Sequence, residues 1–144
     1  MERRRGPEVR PGRGGDGADP SMSPARILVA DDDAALRDGL RQVLALAGYS
    51  AVLVDDGLLA LETARADPPD LIILDHLMPG LDGLGVVRAL REDPRLREIP
   101  VILLTGAAAD LPAQPGVAAI IEKPFQMRPL QDTVRSILAA RPGA

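Results

Sequence analysis

Apolar residues follow two patterns along this chain, and the patterns alternate. One is a short continuous run: Ile27-Leu28-Val29-Ala30, Leu71-Ile72-Ile73-Leu74, Val101-Ile102-Leu103-Leu104 and Ala119-Ile120-Ile121. Runs of this length read as strands buried on both faces of a parallel sheet. The other pattern spaces apolar residues three or four apart, as in Leu36, Leu40, Val43, Leu44 and Ala47. These share one helical face, with Asp33 as N-cap and Gly48 as the closing residue. A strand at 50–54 and a helix at 58–66 follow, the helix stopped by Asp67-Pro68-Pro69. Beyond the strand at 71–75, a turn-rich loop, Met78-Pro79-Gly80-Leu81-Asp82-Gly83, leads into a helix at 84–91 with Leu84, Val87 and Leu90 inward. Strands at 101–105 and 119–122 and a last helix at 129–140, apolar along Leu130, Val134, Ile137 and Leu138, complete the pattern. Strands alternating with helices imply right-handed crossovers and a parallel sheet covered on both faces, an α/β fold.

Two stretches depart from this pattern. Residues 1–25 are rich in Gly, Pro, Arg and Asp and lack apolar periodicity. Such a segment buries too little surface to offset its ordering entropy and is expected to be a disordered extension, with the folded domain at 26–144. Met22 is an alternative start. Arg3-Arg4-Arg5 is nearly cancelled by Glu2, Glu8, Asp16 and Asp19, so a basic arm is not the favoured reading. Between Thr105 and Lys123, Gly106, Pro112 and Pro115-Gly116 oppose a regular helix. A fourth helix there is expected to be reduced or absent, and the segment mobile.

The polar residues that end the apolar runs carry the chemistry. Asp31-Asp32-Asp33 follows the first run, Asp75 follows Leu74, Thr105 follows Leu104, and Lys123 follows Glu122. Ligands of open parallel sheets bind beyond the carboxyl ends of the strands. Clustered carboxylates suit a hard cation such as Mg²⁺, and a hydroxyl with an ammonium suits phosphoryl oxygens. Each residue alone has a plainer explanation: a helix cap, a turn, a strand-end threonine, a snorkelling lysine. Asp75 is the hardest to explain that way, because it follows four buried apolar residues, where a carboxylate needs partners.

Composition narrows the choice. The chain has 144 residues, enough for one domain. Only Tyr49 and Phe125 are aromatic and the net charge is −4, which argue against a stacking platform or a basic field for nucleic acid. There is no Cys, and His76 is the only histidine, so disulfides and zinc are not expected. No apolar run is long enough to span a bilayer and no signal segment is evident, so no membrane association and a cytoplasmic location are expected. His76 is expected beside or away from the strand-end cluster. Arg88, Arg91, Arg95 and Arg97 are expected to form a solvated helix face, and Leu58 and Leu59 to pack in the core or be partly exposed.

The motifs ILVADDD, DLIILDHLMPGLDG, VILLTG and EKPF, in that order, resemble the receiver domain of bacterial two-component response regulators over about residues 26 to 141. The resemblance implies a flavodoxin-like, doubly wound five-stranded parallel sheet of order 2-1-3-4-5. It implies that Asp75 is the phosphoacceptor. Asp31 and Asp32 correspond to the acidic pair that holds Mg²⁺, with Asp32 favoured as the direct ligand. The backbone carbonyl of Leu77 corresponds to a further ligand. Thr105 and Lys123 correspond to the residues that bond the phosphoryl group, and the proline after Lys123 is usually cis in the family. Asp33 matches no required position. Crowded carboxylates should raise at least one pKa, with Lys123 partly offsetting this.

Two features differ from the family pattern. Ile120 stands where an aromatic residue is usual, and the stretch from Thr105 to Lys123 is short. The function implied is a stand-alone receiver that accepts a phosphoryl group from a sensor histidine kinase or phosphotransfer protein and acts on a downstream protein, as a monomer or weak homodimer. It would promote its own phosphorylation and dephosphorylation without being a turnover enzyme. A pseudo-receiver acting as a binding or scaffold module is the alternative. A Mg²⁺-dependent aspartyl phosphohydrolase is less favoured, since no further acid or base is evidently placed to activate water.

Overall fold

The computed structural model describes residues 24–106 and 115–140. The elements run β1 (Arg26–Ala30), α1 (Ala34–Leu46), β2 (Ser50–Val54), α2 (Gly57–Ala66), β3 (Leu71–Asp75), α3 (Gly83–Glu92), β4 (Val101–Thr105), β5 (Val117–Glu122) and α4 (Met127–Ala139). The strands form one parallel sheet in the order β2-β1-β3-β4-β5, as the resemblance implied. Residues 1–23 and 107–114 lie outside the described residues, and with them most of the expected disordered extension and of the segment where a reduced fourth helix was expected.

Alternation along the central strands divides the core into two layers. Leu28, Ala30, Ile72, Leu74, Val101 and Leu103 face α2 and α3, packing with Ala60, Leu61, Ala64, Val86, Val87 and Leu90. Ile27, Val29, Leu71, Ile73, Ile102 and Leu104 face α1 and α4, packing with Leu40, Leu44, Leu130 and Val134. Every residue of β3 and β4 is buried, which is why these strands read as unbroken apolar runs. Edge strand β5 alternates half-buried and exposed positions instead. Ile120 lies on its open side, 39% exposed.

Side-chain caps set three helix starts. Asp33 accepts hydrogen bonds from the Ala35 and Leu36 N–H groups, Asp56 from Leu59, and Asp82 from Gly85. Gly48, at φ +93°, ends α1 in the left-handed conformation that glycine tolerates best.

Several expected bounds shift. Strand β5 begins at Val117, two residues before its apolar run, because Val117 pairs with Val101 across a register irregularity between Val101 and Ile102. Helix α4 begins at Met127, so Pro129 sits inside its first turn, where its missing N–H would have had no intrahelical partner. Arg88 and Arg91 are exposed on α3 as expected, but Arg95 and Arg97, also exposed, lie beyond that helix. Leu58 and Leu59 are 54% and 40% exposed, outside the core. Among the described residues, no helix is long and apolar enough to cross a membrane.

Candidate functional site

Parallel register carries four strand ends to one place. Ala30 pairs with Leu74, so Asp31 and Asp75 are each the next residue on neighbouring strands. Asp75 pairs with Leu104, one residue short of Thr105, and Thr105 pairs with Glu122, one residue short of Lys123. The Lys123 N–H donates to the Thr105 carbonyl at 2.7 Å, which extends the ladder past the strand. Because the sheet is parallel, every strand leaves its core at the same edge, and the polar residues gather there.

The cluster is tightly bonded. Lys123 Nζ lies 3.1 Å from Asp31 Oδ2 and 3.0 Å from Asp75 Oδ1. Asp31 Oδ1 accepts from the Asp33 N–H at 2.8 Å. Both oxygens of the fully buried Asp31 carboxylate are therefore engaged, while the adjacent Asp32 is exposed. One oxygen from each of Asp31, Asp32 and Asp75 lies within 4.8 Å of the others, close enough to share a cation. Oxygen-only donors suit Mg²⁺, so the residues present fit that ion. Thr105 is buried at the end of β4. Leu77, in the loop after β3, is 72% exposed.

Burial holds the Asp75 carboxyl above the ordinary carboxylate range; Lys123 pulls against this, and the charges of Asp31 and Asp32 add to it. A raised carboxyl pKa was expected from crowding, but burial is the larger cause. Burial disfavours the Lys123 ammonium, yet its bonds to Asp75 and Asp31 prevail and its pKa is raised. The Lys123–Pro124 peptide bond is cis, as the resemblance implied.

His76 is half-buried, and its backbone N–H donates to the Leu104 carbonyl at 2.8 Å. Its own carbonyl accepts from the Gly83 N–H at 2.8 Å, tying the end of β3 to the start of α3. Gly83 is required there, since a Cβ would lie 2.7 Å from the Asp75 carbonyl oxygen.

Arg37 was missed from sequence. Its Nη1 donates to the backbone carbonyl of Asp31 at 2.7 Å. The available signal was a cation near the start of α1, where the helix dipole disfavours positive charge unless something local binds it.

Residues 27–135 match the response regulator receiver domain family. The response regulator MprA of Mycolicibacterium vanbaalenii is 40% identical over 119 residues, covering 80% of this chain and 51% of that protein. The chain thus spans about half the length of the curated relatives it matches. Among solved structures, the signal receiver domain of a signal transduction histidine kinase from Syntrophus aciditrophicus superposes with a TM-score of 0.73 at 32% identity, covering 83% of this chain and 94% of that one. The receiver domain of sensor histidine kinase PA1611 from Pseudomonas aeruginosa superposes with a TM-score of 0.76 at 28% identity, over 81% of this chain and 99% of that one. That structure has a magnesium ion coordinated in the active site cleft.

Proposed function

The chain belongs to the response regulator receiver domain family, and on that premise we propose that it is a phosphorylatable switch whose phosphoacceptor is Asp75. The observation that carries this reading is the Asp75 carboxylate itself: nearly buried, bonded to Lys123, and within 4.8 Å of oxygens of Asp31 and Asp32. A carboxylate brought into this position at the expense of desolvation, with a cation and two further carboxylates around it, fits a reacting group better than a structural one.

In this reading a carboxylate oxygen of Asp75 attacks the phosphorus of a phosphohistidine on a sensor kinase or phosphotransfer protein. The O–P bond forms as the P–N bond breaks, and the imidazole leaves with the bonding electrons. Asp31, Asp32, Asp75 and the Leu77 carbonyl would hold Mg²⁺, which supplies positive charge between the carboxylates and the incoming phosphoryl group. Lys123, already bonded to Asp75, is placed to donate to the new phosphoryl oxygens. Thr105, at the end of the neighbouring strand, supplies a hydroxyl to the same group. The added charge and acceptor oxygens draw these two residues to the acyl phosphate, and this shift is the signal passed to a downstream protein. The reaction is stoichiometric, not a turnover of small substrates.

Incubation with acetyl phosphate and Mg²⁺ is expected to add one phosphoryl group by intact mass, and Asp75→Asn to prevent it. Equal labelling of Asp75→Asn would refute the acceptor. No labelling of the unaltered chain by acetyl phosphate or by a phosphorylated kinase would favour a binding module that keeps the site unused. Continuous phosphate release from small phosphoesters would favour a phosphohydrolase.

A further inference from the structure

Asp31 is bonded through every polar atom it has. Its N–H donates to the Val54 carbonyl at 3.2 Å, the last rung between β1 and β2. Its two carboxylate oxygens meet the Asp33 N–H and Lys123 Nζ. Its carbonyl accepts from Arg37 Nη1 at 2.7 Å. The half-buried Arg37 reaches back from α1, and its partner is this neutral carbonyl, although the N-cap Asp33 and the adjacent Asp38 lie close in the chain. The bonded carbonyl belongs to the peptide that joins Asp31 to Asp32. Fixing that peptide plane fixes the position of the Asp32 Cα, from which its side chain leaves the loop.

We propose that Arg37 is a positioning residue of the acidic site: by clamping the Asp31–Asp32 peptide it holds the exposed Asp32 carboxylate against Asp31 and Asp75, in the arrangement that binds a divalent cation. The inference rests on the proposed Mg²⁺ site. Asp31 is anchored by its own contacts, and Asp75 by its strand and Lys123. Asp32 lacks such anchors, so its place depends on the backbone beneath it.

Charge and geometry predict opposite signs when Arg37 is replaced. Removing a cation bonded to the Asp31 carbonyl should, by Coulomb's law alone, tighten Mg²⁺ binding at the acidic site. Loosening the loop should weaken it. Mg²⁺ titration of the full chain, followed by the amide NMR shifts of Asp32 and His76, is expected to show at least threefold weaker binding for Arg37→Ala. Arg37→Lys, which keeps the charge and one donor, should recover part of the loss. Arg41→Ala, which removes an exposed charge from the same helix, should leave the affinity unchanged. Acetyl phosphate labelling of Arg37→Ala should be slow at low Mg²⁺ and recover when Mg²⁺ saturates. Arg37→Met, which keeps the apolar stem but has no N–H donor, repeats the test if the alanine variant fails to fold.

Equal or tighter binding in the Arg37→Ala or Arg37→Met protein overturns the positioning role, as does an equal loss in Arg41→Ala. In either case Mg²⁺ binding by the unaltered chain, abolished by Asp32→Ala, leaves the metal site standing. An unaltered chain that binds no Mg²⁺ overturns both.

Discussion

Asp75 sits in surroundings that favour its neutral form. Burial raises its pKa above the ordinary 3.8, and the neighbouring carboxylates raise it further. The folded state therefore binds this proton more tightly than the unfolded chain does. Its contribution to stability is full below the ordinary carboxylate value and is lost as pH rises through the raised value. Asp75→Asn removes that penalty, so its melting temperature at pH 7 should exceed that of the unaltered chain by about 2–5 °C. The difference should shrink toward pH 4, as paired thermal melts would show, and a destabilised Asn variant at pH 7 would contradict the argument. This is the usual conflict between stability and a functional charge. Lys123 has the opposite role. Burial opposes its charge, but two carboxylates retain it, and the pKa rises above 10.5. Its stabilisation is full below that ordinary value and is lost as pH rises through the higher folded one. Lys123→Ala leaves Asp31 and Asp75 without their cation. It should cost roughly 1–3 kcal/mol in urea unfolding at pH 7, less than for a fully buried pair because the ammonium is 29% exposed.

Elements were legible where local chemistry and burial agree. Strands β3 and β4 are apolar because both faces are covered, and α1 starts at Asp33 because the carboxylate caps two N–H groups. Edges were less legible. Val117 joins β5 through pairing with Val101, and Ala118 is carried in the register irregularity beside it, a long-range arrangement that no periodicity records. Met127 and Arg128 precede a proline, which reads as a helix boundary until its place in the first turn is seen. The junction of β3 and α3 carries an element-level prediction. A methyl group on Gly83 would meet the Asp75 carbonyl oxygen at 2.7 Å and Leu103 Cδ1 at 2.9 Å. The oxygen is backbone and cannot rotate away. Gly83→Ala should therefore cost about 1–3 kcal/mol by overpacking and move the Asp75 carboxylate, so acetyl phosphate labelling should slow as well. Full stability and unchanged labelling would show that the junction yields easily.

The regular pattern begins at Arg26, whose N–H donates to Asp70 Oδ2 at 2.8 Å, and the backbone bonds to the sheet begin one residue earlier, where the Ala25 carbonyl accepts from the Ser50 N–H at 2.9 Å. A chain beginning at Ser23 is accordingly expected to melt within about 5 °C of the full chain, and a larger loss would show that the preceding residues pack on the domain. Over the whole molecule, the sequence by itself determined the alternation of strands and helices and the polar residue at each strand end, because these follow from periodicity and local capping. It also identified Asp31, Asp32, Asp75, Thr105 and Lys123 as candidates, since charge directly after a buried strand is costly without a purpose. Tertiary structure decided which of them touch. Parallel register placed the strand ends side by side, and only then did Lys123 bridge Asp31 and Asp75. It also showed Arg37 on the Asp31 carbonyl, because that bond depends on the turn by which the chain passes from β1 into α1. Burial, more than crowding, as the main cause of the raised Asp75 pKa was likewise a property of the packed molecule: a sequence lists neighbouring charges, but solvent is excluded only when the layers close.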